Sequence, residues 1–155
     1  MLKREGQAWG FDLMIAFVIF IIGIVAFFLY ALNYPTEGEE IIDTLSYEAD
    51  LIAENLLSEG HPKNWTVGNV EVIGLTNDDR INQTKLNNFV SLVTLDYNLT
   101  KTLLNTRYDY YINITNSTDS KIIGRLPVEP TNLIKVARVS LYNNEVVQMD
   151  VYVWE

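Results

Sequence analysis

The sequence predicts an α+β protein: an N-terminal transmembrane helix, an acidic amphipathic helix and an antiparallel β-sheet domain. Three observations carry that expectation. Leu13 to Leu32 is a charge-free run, LMIAFVIFIIGIVAFFLYAL. Ile42, Leu45, Ala49, Ile52 and Leu56 recur in steps of three and four. Leu133 to Trp154 alternates apolar and polar residues and breaks once, at Asn143-Asn144.

The first run sets the topology. At about 1.5 Å rise per residue, a helix of that length crosses a ~30 Å hydrocarbon core once. A buried helix of a soluble domain would carry a polar stripe, and this segment has none. Lys3 and Arg4 precede it, and the next basic residue is Lys63. The positive-inside bias then keeps the N-terminus cytoplasmic and exports the rest. Five sequons, at Asn64, Asn82, Asn98, Asn113 and Asn116, all lie in the exported part. Together they point to a glycosylated, outward-facing surface.

Composition bounds the remainder. Beyond the anchor the chain holds enough residues for one core and not two. It contains no cysteine, so disulfides and thiolate metal sites are unavailable. The net charge of −9 argues against nucleic acid as a partner, since phosphate binding needs a basic patch. Most of that charge is concentrated. Glu37, Glu39, Glu40, Asp43, Glu48, Asp50, Glu54 and Glu59 form an acidic stretch without a base, whereas Gly60 to Glu155 is nearly neutral.

The elements follow in order. Pro35 biases Tyr34 away from the α region and should stop the first helix. Thr36 is placed to cap a second helix, with Glu39 as its capping-box partner, and Gly60-His61-Pro62 should end it. Its acids avoid the apolar stripe. The plain reading is a solvated face. The sharper one begins from the like-charge pairs Glu39/Asp43 and Asp50/Glu54, whose mild repulsion would be relieved by cations from a neighbouring subunit, a surface layer or external salt. Val67, Val70, Val72 and Ile73 to Leu75 suggest a strand ended by the turn Thr76-Asn77-Asp78-Asp79. Thr84 to Val93 and Asp96 to Leu104 read as short helices, the latter with Leu99, Leu103 and Leu104 inward. Arg107 to Thr115 reads as a strand. Pro127 and Pro130 mark a loop before Leu133 to Tyr142 and Val146 to Trp154, an antiparallel hairpin.

The leader resembles the class III signal peptides of archaeal type IV pilin-like proteins. The shared residues are Lys3, Arg4, Gly6, Gln7 and Asp12, ahead of the apolar helix. The stretch from Leu51 to Leu86 also looks like the membrane-proximal part of such proteins. Trp9 stands where the family carries serine at the third mature position, the acid falls one place later than usual, and Glu5 replaces a basic residue. The resemblance implies cleavage between Gly6 and Gln7 by a prepilin peptidase. It divides the chain into a leader (1–6), a transmembrane and assembly helix (7–34) and an exported α+β domain (35–155). It also gives Asp12 an assembly role, pairing with the free amine of a mature N-terminus; the competing reading is an interfacial acid reaching the lipid headgroups.

Chemistry is sparse. His61 is the one histidine, which excludes histidine-based triads and metal clusters. G-x-S-x-G, P-loop and dinucleotide fingerprints are absent, and Asp78-Asp79 reads as a turn. Tyr108, Tyr110, Tyr111, Tyr142, Tyr152 and Trp154 suit glycan or protein contact, but alternation on strands favours cross-strand and core pairs. The expectation is no enzyme, no cofactor and no metal. The protein would be a membrane-anchored pilin-like subunit, forming homo- or hetero-oligomers with other pilin-like subunits at the cell surface. The alternative is a permanently anchored stator-like or adhesion protein binding an extracellular partner.

Overall fold

The computed structural model describes residues 5–33, 37–116 and 119–155, with side chains from Gly10 to Leu32 and from Glu40 onward. Lys3, Arg4, Tyr34, Pro35 and Thr36 lie outside the described residues, and so do the side chains of Gln7 and Glu39. The chain divides into two compact units, split in sequence between Glu40 and Ile41.

The first unit is dominated by helix α1, Glu5–Asn33. Its stretch Gly10–Leu32 is the one helix among the described residues long and apolar enough to cross a membrane. Every residue of that stretch is exposed, including Phe11, Phe17, Phe20, Phe27 and Phe28. Water would not tolerate such a surface at this length, whereas lipid would.

The second unit contains most of α2, Glu37–Leu56. Leu45, Ala49, Ile52, Ala53 and Leu56 are fully buried. Ile42, expected in the stripe, is 43% exposed, and Ile41 packs against the core in its place. Ile41, Leu45, Ala49 and Ala53 follow one another at i,i+4, and that row sets the buried face.

The expected strand at Val67 to Leu75 does not form. Its backbone groups are taken by the exit from α2 instead. Leu75 N–H donates to Leu56 O (2.8 Å), Thr76 N–H to Ser58 O (3.0 Å), and His61 N–H to Val72 O (2.9 Å). The first two bonds satisfy carbonyls at and just beyond the C-terminus of α2, which the helix itself leaves open. The approach needs two glycines. Gly60 adopts φ +72°, and a Cβ on Gly74 would sit 2.2 Å from Gly60 N. Trp65 fills the enclosed space and donates from Nε1 to Gly74 O (2.8 Å).

Next comes a short hairpin, β1 (Thr76–Asn77) and β2 (Arg80–Ile81). Asp78 and Asp79 form its turn, both at positive φ, which confirms the turn reading. Helix α3, Gln83–Leu95, is capped by Asn82, whose Oδ1 accepts from Thr84 N and Lys85 N. Helix α4, Tyr97–Leu103, is capped by Asp96. Leu99 is 41% exposed rather than inward. Thr100 turns inward instead, where its Oγ1 meets the Tyr110 hydroxyl at 2.5 Å.

Four further strands complete the sheet: β3 (Asp109–Thr115), β4 (Ser120–Gly124), β5 (Leu133–Tyr142) and β6 (Glu145–Trp154). The hairpin β5–β6 turns at Asn143-Asn144, both with φ > 0, as a two-residue hairpin loop requires. Strand order is β1-β2-β5-β6-β3-β4. The sheet is mixed rather than wholly antiparallel, because β2 meets β5 in parallel through the single pair Arg80–Leu141. Tyr110, Ile112, Ile114, Ile123, Val147, Met149, Val151 and Val153 are buried in one cluster with the inward residues of α2 and α3. Phe89 sits in that cluster at 0% exposure, so Phe89→Ala would cost about 3–5 kcal/mol.

Candidate functional site

The first candidate surface is α1 itself. Asp12 lies on it, exposed, just ahead of the uncharged run. Gly6 and Gln7 fall in the helix's first turns. An apolar helix exposed on all sides can lie in lipid, and it can pack against other helices there by shape complementarity.

The second is the face of the sheet opposite the core. Tyr111 of β3 is in register with Tyr152 of β6, and their rings stack at 4.2 Å between centroids. Trp154 tilts against Tyr111 at 5.8 Å. Lys135 of β5, in register with Tyr152, reaches Asp150 Oδ2 at 2.9 Å and lies over the Tyr152 ring. Gln148 donates to the other Asp150 oxygen at 2.8 Å. The hydrogen bond to Asp150 first of all raises the Lys135 pKa above its ordinary value. These aromatics are therefore cross-strand pairs. The same face leaves Val139, Val146 and Ile122 more than half exposed.

The sequons occupy unequal positions. Asn64 is exposed in the loop after α2. Asn82 spends its Oδ1 on the α3 cap. Asn98 is exposed on α4, but Thr100 of its sequon is fully buried and bonded to Tyr97 O and to Tyr110. Asn113 lies within β3, its Oδ1 accepting from Ser120 Oγ (2.7 Å). Asn116 accepts from Asp119 N at 2.6 Å, while Ser117 and Thr118 lie outside the described residues.

Sequence reasoning missed Lys85. The side chain is 3% exposed and donates to Glu59 O (2.7 Å), Thr76 O (2.8 Å) and Asn77 Oδ1. Three acceptors match the three donors of an ammonium. Burial pulls its pKa below the usual lysine value, with Glu59 opposing. Helical periodicity places Lys85 beside Leu86 and Phe89 near the apolar side of α3, the one signal available in advance.

Two acids of α2, Glu48 and Asp50, find cations within their own chain. Arg138 of β5 reaches Asp50 Oδ1 at 2.7 Å, and Arg107 lies 3.7 Å from Glu48, which also accepts from Thr106 Oγ1. His61 is exposed, 3.6 Å from Glu71. Among the described residues no group of three or more His, Asp or Glu side chains could hold a metal ion. A surface groove of about 400 Å³ runs between Val90, Val93 and Tyr97 and the β4 edge.

Together these features define a chain with one N-terminal apolar helix, consistent with a single-pass membrane anchor, and a separate α+β domain of the kind found on membrane-anchored surface proteins. No protein family, curated protein or solved structure matches the chain.

Proposed function

We propose that this chain is an exported pilin-like subunit, assembling through α1 into a type IV pilus-like surface structure. The observation that carries the reading is α1: Gly10 to Leu32 is exposed without interruption and meets its first acid at Asp12. In this reading Lys3 and Arg4 keep the leader cytoplasmic, and the domain faces outward. A prepilin peptidase cuts between Gly6 and Gln7. The freed amine then offers Asp12 a cation, of its own or a neighbouring copy, at a depth where an isolated carboxylate is costly. Neighbouring α1 helices exchange lipid contacts for helix contacts. The domain contributes surface, and no catalytic role is assigned to it.

N-terminal sequencing of the protein extracted from membranes containing a competent prepilin peptidase tests this directly. The expected first residue is Gln7. A protein that keeps Met1 would overturn the processing step and favour the permanently tethered alternative. Imaging of sheared surface filaments with an antibody to the domain then tests assembly.

A further inference from the structure

We infer that the free edge of β4 pairs with β4 of a second copy of this chain, joining two sheets about a twofold axis at Ile122. The surface is a strand edge, distinct from α1, and the inference holds whether or not the leader is cleaved.

Strand β4 ends the sheet order, so one of its sides is unpaired among the described residues. Two flanking bonds show which residues face that side. Arg125 N–H donates to Tyr110 O (3.1 Å), and Asn116 N–H to Asp119 O (3.0 Å). Backbone groups alternate sides along an antiparallel strand. Lys121 and Ile123 therefore turn theirs toward β3, and Ser120, Ile122 and Gly124 turn theirs outward. Asp119 Oδ1 covers the Ser120 N–H at 2.8 Å. The Ile122 side chain is 53% exposed. An open edge of this kind is a template for another strand.

Charge selects the occupant and the register. With Ile122 opposite Ile122 of the second copy, Ser120 faces Gly124; the Ile122 groups and the Gly124 N–H gain partners, while the Ser120 N–H keeps Asp119 Oδ1. The same register sets Asp119 opposite Arg125, twice, once at each end. A slip of two residues in one direction opposes Lys121 to Lys121, and in the other it opposes Lys121 to Arg125. Like charges directly opposite are unfavourable, and opposite charges favourable. Asp119 is exposed, and Arg125 keeps donors free beyond the one that Nη1 gives to Asp109 (3.1 Å). The edge is thus self-complementary in hydrogen bonds, apolar contact and charge, as a twofold interface must be. Membrane tethering would raise the local concentration of copies.

The absence of cysteine makes cross-linking selective. Across a hydrogen-bonded antiparallel pair the Cα atoms are about 5.5 Å apart, within disulfide reach. Ile122→Cys in the full chain, oxidised in membranes, should give a dimer of twice the chain mass. Val128→Cys, 87% exposed and outside the paired residues 119–125, should give far less and controls for collision. Adding Asp119→Lys to every copy, or Arg125→Glu to every copy, should lower Ile122→Cys cross-linking on the order of tenfold. Mixing the two differently tagged chains should restore it between unlike copies, because each then meets an opposite charge at both ends. Circular dichroism melting of each variant shows whether it folds. Equal cross-linking at Val128, an adduct with a different protein, or no recovery in the mixed sample from folded variants would overturn the inference.

Discussion

The hydroxyl of Tyr97 grips both backbone groups of Tyr110: it accepts from the Tyr110 N–H at 2.8 Å and donates to the Tyr110 carbonyl at 3.1 Å. The two rings stack at 5.2 Å, and Arg125 lies over the Tyr97 ring at 4.8 Å. The hydroxyl takes the Tyr110 N–H and shares the Tyr110 carbonyl with the Arg125 N–H, and so fastens α4 to the end of the sheet.

Tyr97→Phe keeps the ring and removes the grip, leaving Tyr110 N–H without its acceptor. The expected loss is about 1–3 kcal/mol, read from denaturant unfolding. Burial, above all, pushes the Tyr97 hydroxyl up to about 12, and pushes Tyr110 up as well. A folded value above the unfolded one means the contribution is complete below pH 10 and fades as pH rises toward 12. Unfolding midpoints should fall over that window, and less steeply in Tyr97→Phe. A variant with unchanged stability would show that stacking alone holds α4.

Lys85 makes a second, oppositely signed prediction. Lys85→Met leaves Glu59 O, Thr76 O and Asn77 Oδ1 without their donor. The cost should be on the order of 3 kcal/mol, measured by chemical denaturation. The folded pKa is depressed by burial, so the unfolded chain binds more protons between that value and 10.5. Stability from this group therefore rises with pH across that window, and Lys85→Met should lack the rise. A neutral substitution would mean that water replaces the ammonium without loss.

Asp50 tests the acidic helix. Charge counting along α2 suggests that neutralising Asp50 relieves repulsion with Glu54. The structure pairs Asp50 instead with Arg138, 88 residues away in sequence. Asp50→Asn should therefore destabilise the domain by up to about 1 kcal/mol, the scale of a partly exposed ion pair. Glu54→Gln should be neutral or slightly stabilising. A double-mutant cycle with Arg138→Met should give a coupling near zero if the pair is only geometric.

This contrast shows which parts of the fold are legible in a sequence. The β5–β6 hairpin could be placed because period, strand length and Asn143-Asn144 all agree locally. Helices α3 and α4 could be placed because Leu86, Phe89 and Val90, and then Leu99, Leu103 and Leu104, recur at helical spacing, although Leu99 turns outward. The segment Val67 to Leu75 misleads because its alternation is satisfied by the α2 exit and by Trp65, contacts that depend on Gly60 approaching Gly74. Strand β4 offers only Ile122 and Ile123, too short a pattern to separate from a loop. The Arg138–Asp50, Lys85 and Tyr97 contacts bridge elements and leave almost no local trace. At the anchor the reverse holds: the apolar run is local and complete, so α1 was legible throughout.

The sequons should be occupied unequally. Asn64 is exposed in a loop, and Thr66 of its sequon is exposed as well. Thr100 of the Asn98 sequon is buried with its hydroxyl engaged. Glycopeptide mass spectrometry of protein from its native membrane should find glycan at Asn64 and none at Asn98. Glycan at Asn98 would place attachment before the Thr100–Tyr110 contact forms, and would predict a domain loosened at α4.

Asp12 tests what α1 does in the membrane. The run that follows it is uncharged, so insertion is driven by Leu13 to Leu32 and does not need the carboxylate. If Asp12 pairs with a mature N-terminal amine, its removal should cost assembly and not insertion. Asp12→Ala should then remain in the membrane fraction at normal levels while its recovery in sheared filaments falls. Asp12→Glu, which keeps the charge on a longer stem, should recover part of that yield. Normal filament recovery for Asp12→Ala would make the carboxylate a headgroup-facing residue, and would leave helix packing alone to hold the subunits.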